Sequence, residues 1–293
     1  LQKALFGFSD DFEKQTNKRI RNVFAGINTE YLDEFISEAL KQTKLSSGPA
    51  SKLFNGENKL KDIGNMILFS FAGHDTTGHT LTWLLYELCK YPEYKQRLIK
   101  EIDDYWLKYR EPTYETFNEL SFMTRCITET LRMWPALANG TYRELERDDT
   151  ITGIDGEKVL LEKGTYVQIM NFTRHRNPEL WEDPHIFNPD REFNNSEIWD
   201  HKGFGYYNVQ SDRFSPFAYG PRNCLGKNFS HMEMRLILLN LFKDLDFKLS
   251  DEQVVTIDDP KYMGINTFTM GPADIKGGLL GMYINIYPRK SKI

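Results

Sequence analysis

The residues best placed to do chemistry lie together in one stretch, Phe217-Ala218-Tyr219-Gly220-Pro221-Arg222-Asn223-Cys224-Leu225-Gly226, which runs into the apolar-rich segment holding Phe229, Met232, Met234, Leu236 and Ile237. A Gly-Pro turn followed by a helical pattern places Cys224 at or just before a helix start. Backbone N–H groups there carry partial positive charge and favour a thiolate, so the sequence predicts a lowered thiol pKa and a cysteine able to bind a metal. Gly226 leaves room for a flat group close to the backbone, and Arg222 offers a forked donor to a carboxylate. An inert buried thiol is the ordinary fate of a lone cysteine. A Cys/His nucleophile is a third reading, but no protease or redox signature surrounds Cys224.

Other stretches stand out. Ala72-Gly73-His74-Asp75-Thr76-Thr77 puts a carboxylate and two β-branched hydroxyls where a long helix prefers Ala and Leu, so this turn is expected to bend or open. Glu129 and Arg132 share a helix face at i and i+3. A solvated surface pair is the bland reading of such spacing, but the neighbours Ile127, Leu131, Met133 and Trp134 predict a partly buried one. His74 and His79 lack the third ligand that a zinc site needs.

These residues need elements to position them. Residues 30–43 have helical apolar spacing after Asn28-Thr29, and a long helical pattern runs from about 60 to 90. Helices are predicted over 92–109, 121–134 and 225–243. Pro92 suits a first turn and Pro135 a stop. Short strands with tight turns are predicted at 151–154, 159–161 and 166–170, separated by Asp155-Gly156 and Lys163-Gly164. Residues 177–216 lack a period, and 254–288 reads as strands with a hairpin near Lys276-Gly277-Gly278. The chain is mainly α with small β-sheets: 1–135 helical, 136–216 short strands and an irregular meander, and 217–293 the cysteine loop, its helix and terminal strands.

With 293 residues, 40% hydrophobic and 27% charged, there is ample material for a core. A net charge of −5 argues against a general nucleic-acid surface. Three widely spaced cysteines suit a reducing compartment rather than a disulfide framework. No signal peptide and no apolar run of membrane-spanning length is evident.

The pattern Phe217-x-x-Gly220-x-Arg222-x-Cys224-x-Gly226 resembles the haem-binding loop of cytochromes P450. The 72–77 stretch and Glu129-x-x-Arg132 resemble that family's other signatures, in the same order and at similar intervals, with a eukaryotic, microsomal tone. The resemblance covers about residues 60–290. It implies a haem-thiolate monooxygenase that inserts one atom of O2 into an apolar substrate, with Cys224 as axial ligand of the iron protoporphyrin IX. Asp75 and Thr76 would relay protons, and Phe217, Gly226, Arg222 and Arg143 would cradle the haem, the two arginines at its propionates. Arg191, in Phe187-Asn188-Pro189-Asp190-Arg191, would join Glu129 and Arg132 in a structural cluster; His175 and Trp181 are read as structural. Substrate would meet Phe71, Ala72, Ala138, Asn139, Gly140 and residues near Leu279. An NADPH-dependent reductase would donate electrons. The chain is shorter than that family's domains and is expected to lack an amino-terminal portion, which keeps open a truncated, inactive haem-binding remnant; isomerisation or dehydration without O2 is a further reading, which the Asp75-Thr76 pair disfavours.

Overall fold

The structure is a computed structural model that describes residues 59–199, 211–250, 269–271 and 282–289. The expected helix at 30–43 and hairpin near 276–278 lie outside them. The chain divides into two compact units, Leu1–Asp75 and Thr76–Ile293.

Helix α1 (Lys59–Lys90) crosses from one unit to the other. It stays α-helical through 72–77, so the expected opening is absent. In the second unit its hydroxyls bond to carbonyls one turn back, Thr80 Oγ1 to Thr76 O at 2.9 Å and Thr82 Oγ1 to Gly78 O at 2.8 Å. Polar side chains are thereby absorbed without breaking the ladder.

The second unit is helix-rich. Helix α2 (Pro92–Lys108) buries Leu98, Ile99, Ile102 and Tyr105, one stripe at helical spacing. Helix α3 (Ser121–Met133) is buried over nearly its whole length. Its start is capped from α2: Glu101 accepts from the Phe122 and Met123 N–H groups at 2.7 and 2.8 Å, supplying partners for first-turn amides. Helix α4 (Asn171–Arg174) is a single turn, and α5 (Lys227–Asp244) follows the cysteine loop. Trp106 Nε1 donates to Leu239 O at 3.1 Å, tying α2 to α5.

Among the described residues there are three antiparallel two-stranded sheets. β1 (Tyr142–Glu144) pairs with β4 (Tyr166–Gln168), and β2 (Asp149–Thr152) with β3 (Lys158–Leu161). The β2–β3 turn contains Gly156 at φ +82°, a left-handed conformation open to glycine. β5 (Leu245–Leu249) leaves α5 directly and pairs with β6 (Ile284–Pro288). Lys95 of α2, almost fully buried, holds β5 through Phe247 O at 2.7 Å and Asp246 Oδ1 at 2.9 Å.

The core centres on Trp83 and Trp134, stacked at 3.9 Å with ring planes 4° apart. Their indole N–H groups are satisfied by Met270 O at 3.0 Å and Glu87 Oε1 at 2.7 Å. Such a pair adds about 0.5–1.5 kcal/mol beyond its burial.

Candidate haem-thiolate site

Cys224 sits on a short loop before α5. Its N–H donates to Phe217 O at 2.9 Å, closing the loop on itself. Gly220–Arg222 forms one 3-10 turn, and Ala218 adopts φ +60°, which costs a non-glycine residue of order 1–3 kcal/mol. The loop must therefore be held by what surrounds it. Cys224 is exposed as a residue, and a Cβ on Gly226 would lie 3.9 Å from its sulfur. The helix starts at Lys227, with Gly226 in the cap position, so Cys224 stands outside the first turn. This corrects the expected thiol pKa: the packing of the loop around the sulfur pushes it up, and the Gly226 N–H and the Lys227 charge pull it only partly back.

Phe217 packs against the buried His231 of α5, ring centroids 5.3 Å apart. Arg222 is exposed. Arg143 on β1 is also exposed and donates to its neighbour's carbonyl, Tyr142 O, at 2.8 Å. Both guanidinium groups are accessible to an anionic ligand. Asp75 and Thr76 are half-buried neighbours on one turn of the unbroken helix. Ala138 is buried, and Gly140 takes φ +66° where a Cβ would collide with the Ile169 carbonyl.

The structure brings Glu129, Arg132 and Arg191 together. Arg132 Nε and Nη2 meet Glu129 Oε2 and Oε1 at 2.8 and 2.7 Å, and Arg191 Nε reaches Oε1 at 3.2 Å. Glu129 Oε1 also accepts the Asn188 N–H at 3.0 Å. Arg132 Nη1 spans to His175 O and Pro184 O, each at 2.8 Å. Arg191 donates to Glu182 O and, at 3.0 Å, to Asp183 O. Every charge has a partner, as a buried ion cluster requires.

A second knot was not read from the sequence. Buried Glu197 receives Arg213 Nε at 2.9 Å and Nη2 at 2.8 Å, Ser211 Oγ at 2.6 Å and the Asn194 N–H at 2.9 Å. Burial works to raise this carboxyl, yet the donors outweigh it and hold it below the usual range. The spacing Asn194-x-x-Glu197 is a capping-box pattern and was the available signal. The Arg213 guanidinium also lies 4.2 Å from the Trp181 ring centroid.

A cleft of about 380 Å³ lies elsewhere, between α2 and the start of α3. Its charges are paired, Lys100 with Asp104 at 2.6 Å and Lys108 with Glu119 at 3.0 Å, and no residue of the Cys224 loop lines it. It fits neither haem nor an apolar substrate.

A helix-rich chain with small antiparallel sheets, a braced meander and an exposed cysteine loop defines a class compatible with the P450 fold. The family model described as Cytochrome P450 matches residues 1–275, and the chain belongs to that family. Among similar proteins are Cytochrome P450 3A12 of Canis lupus familiaris, 32% identical over 198 residues, and Cytochrome P450 3A28 of Bos taurus, 32% identical over 210 residues. These alignments cover 68% and 71% of this chain but 36% and 38% of those proteins. Cytochrome P450 3A29 of Sus scrofa is 34% identical over 195 residues, 67% of this chain and 36% of that protein. The chain thus spans less than half the length of these relatives.

Cytochromes P450 are haem proteins, and the residues present fit that group. Among the described residues no cluster of three or more His, Cys, Asp or Glu could hold a metal ion. A single cysteine on an exposed loop suits a metal that brings most of its own ligands, as haem iron does. No helix among the described residues is long and apolar enough to cross a membrane.

Proposed function

We propose that this chain carries the haem-thiolate centre of a monooxygenase that inserts one atom of O2 into an apolar organic substrate. The observation that supports this most is the Cys224 loop, an exposed cysteine on a turn closed by the Cys224 N–H to Phe217 O bond, in a chain of the P450 family. Bound there, haem supplies the O2-activating iron chemistry, fed by two electrons from an NADPH-dependent reductase.

The chain's own residues have distinct tasks. Cys224 would hold the haem iron through its thiolate, which the Gly226 N–H and the Lys227 charge favour. Gly226 keeps side-chain bulk away from the face above the sulfur. Phe217 would add an apolar ring at the start of the loop, packed against His231. Arg222 and Arg143 would pair with the carboxylates of the group, which the guanidinium fork suits. Asp75 and Thr76 would hold and pass protons, as an acid and an alcohol on adjacent positions can. Glu129, Arg132 and Arg191 lock the meander leading to the loop.

The test is aerobic turnover of an apolar substrate by the purified chain with NADPH, reductase and isotopically labelled O2. One labelled oxygen in the product, lost in Cys224→Ala, is the expected result. Product oxygen derived from water would overturn the reading.

A further inference from the structure

We propose that His175 is a positioning residue for the thiolate loop, its Nε2 accepting the Ser215 amide N–H and so fixing where the turn that carries Cys224 begins. The inference rests on the haem-thiolate reading for its functional meaning, while the contact itself belongs to the polypeptide.

His175 has no exposed surface, and Ser215 N lies 3.1 Å from its Nε2. The ring is held against Phe214, centroids 5.1 Å apart. The His175 carbonyl accepts Arg132 Nη1 at 2.8 Å, so one residue joins the Glu129–Arg132 pair to the loop. Arg174 adds a second grip: Nη2 donates to Ser215 Oγ and to Asn171 Oδ1 at 3.1 Å, and Nη1 to Asp212 O at 3.1 Å. Beyond Ser215 the bonds continue inward. Ala218 N donates to Ser215 O at 3.1 Å, and Cys224 N to Phe217 O at 2.9 Å. Ala218, inside this relay, is the residue at φ +60°. A left-handed alanine persists only where its surroundings over-determine it, and the Ser215 anchor is part of that determination.

An amide N–H needs a lone pair on Nε2, which exists only in neutral imidazole with its proton on Nδ1. Nδ1 has no partner among the described residues. The charged groups facing the ring are Arg174 and Arg176 on either side and Arg132 from α3, all cationic. With burial first and these charges second, the ring is held neutral far below the usual histidine range. Protonation would set N–H against N–H and release Ser215. Since the opened ring titrates near pH 6.5, the opening constant rises about tenfold per pH unit below that point and is flat above it. A histidine that merely fills space would share the slope, because burial alone lowers its pKa, but would not fix the Nδ1–H tautomer.

The test uses the full chain, first without haem. Nitrogen-15 NMR of the imidazole should show the Nδ1–H tautomer, neutral at pH 6; the Nε2–H tautomer would overturn the proposal. Amide exchange at Ser215 should accelerate about tenfold per pH unit below pH 6.5 after correction for intrinsic exchange. His175→Gln, whose side-chain carbonyl oxygen replaces Nε2 as acceptor and does not titrate, should keep Ser215 protected and lose that slope; an unchanged slope would overturn the proposal. Buried His231 remains in both proteins, so any acid slope it adds is common to both, and the slope assigned to His175 is the difference between wild type and His175→Gln. If haem is taken up, the reduced CO complex should lose its thiolate band at a higher pH in the wild type than in His175→Gln. Wild-type protein with the tautomer and the slope but no haem uptake would sink the haem reading and leave the anchor standing. A thiolate band combined with the wrong tautomer would do the reverse.

Discussion

Arg132 holds both carboxylate oxygens of Glu129, Nε 2.8 Å from Oε2 and Nη2 2.7 Å from Oε1, and neither side chain has exposed surface. The remaining arm of the same guanidinium reaches His175 O and Pro184 O. One fork thus ties α3 to the meander that leads to Cys224. Arg132→Lys keeps the charge but cannot make the paired bonds. Removing one member of a buried ion pair costs about 3–5 kcal/mol, and urea unfolding should show a large part of that loss. A change below about 1 kcal/mol would show that the fork does not brace the fold.

The Glu197–Arg213 knot makes a pH prediction. The Glu197 carboxyl is lower in the folded chain than in the unfolded one, because its hydrogen bonds outweigh burial. Its contribution is therefore full above the unfolded value of about 4.3 and is lost as pH falls toward the lower folded value. Urea midpoints of wild type and Glu197→Gln should differ most at pH 7 and converge below about pH 4. A constant gap would assign the effect to shape rather than charge.

Gly140 tests the backbone. At φ +66° with the Ile169 carbonyl in the path of a Cβ, Gly140→Ala combines strain with collision. The strain alone is of order 1–3 kcal/mol, and thermal unfolding should fall by about 2–4 °C for each kcal/mol. An unchanged midpoint would mean the β1–β4 region relaxes freely.

Thr76 tests the proton path. In haem-loaded protein with reductase, Thr76→Ala should continue to consume NADPH while product per NADPH falls, toward the roughly 100-fold that positioned acid–base groups contribute. An unchanged ratio would remove Thr76 from the relay.

What was legible in the sequence was local. Glu129 and Arg132 sit one turn apart, and the β2–β3 hairpin is marked by Asp155-Gly156, so short-range spacing was enough. Helix α2 was expected over 92–109 and spans Pro92–Lys108. β1 was missed because three exposed residues carry no alternation, and β5 because it leaves α5 with no Gly or Pro between them. Glu197 meets Arg213 across the meander, and Ser215 meets His175 across the fold; pairings of this kind have no periodic signal. The Cys224 thiol lies above rather than below its usual range because desolvation in the loop outweighs the nearby N–H groups, a balance that spacing in the sequence does not show. The 72–77 turn stays helical, and just beyond it the Thr80 hydroxyl bonds to the Thr76 carbonyl without breaking the ladder.

The central claim is that Cys224 is the axial ligand of haem iron. Its most direct test is the absorption spectrum of the reduced, CO-bound full chain, for wild type and for Cys224→Ala. A strongly red-shifted Soret band in the wild type that disappears in the variant is the predicted result. The same band in both proteins, or a wild type that takes up no haem, would contradict it.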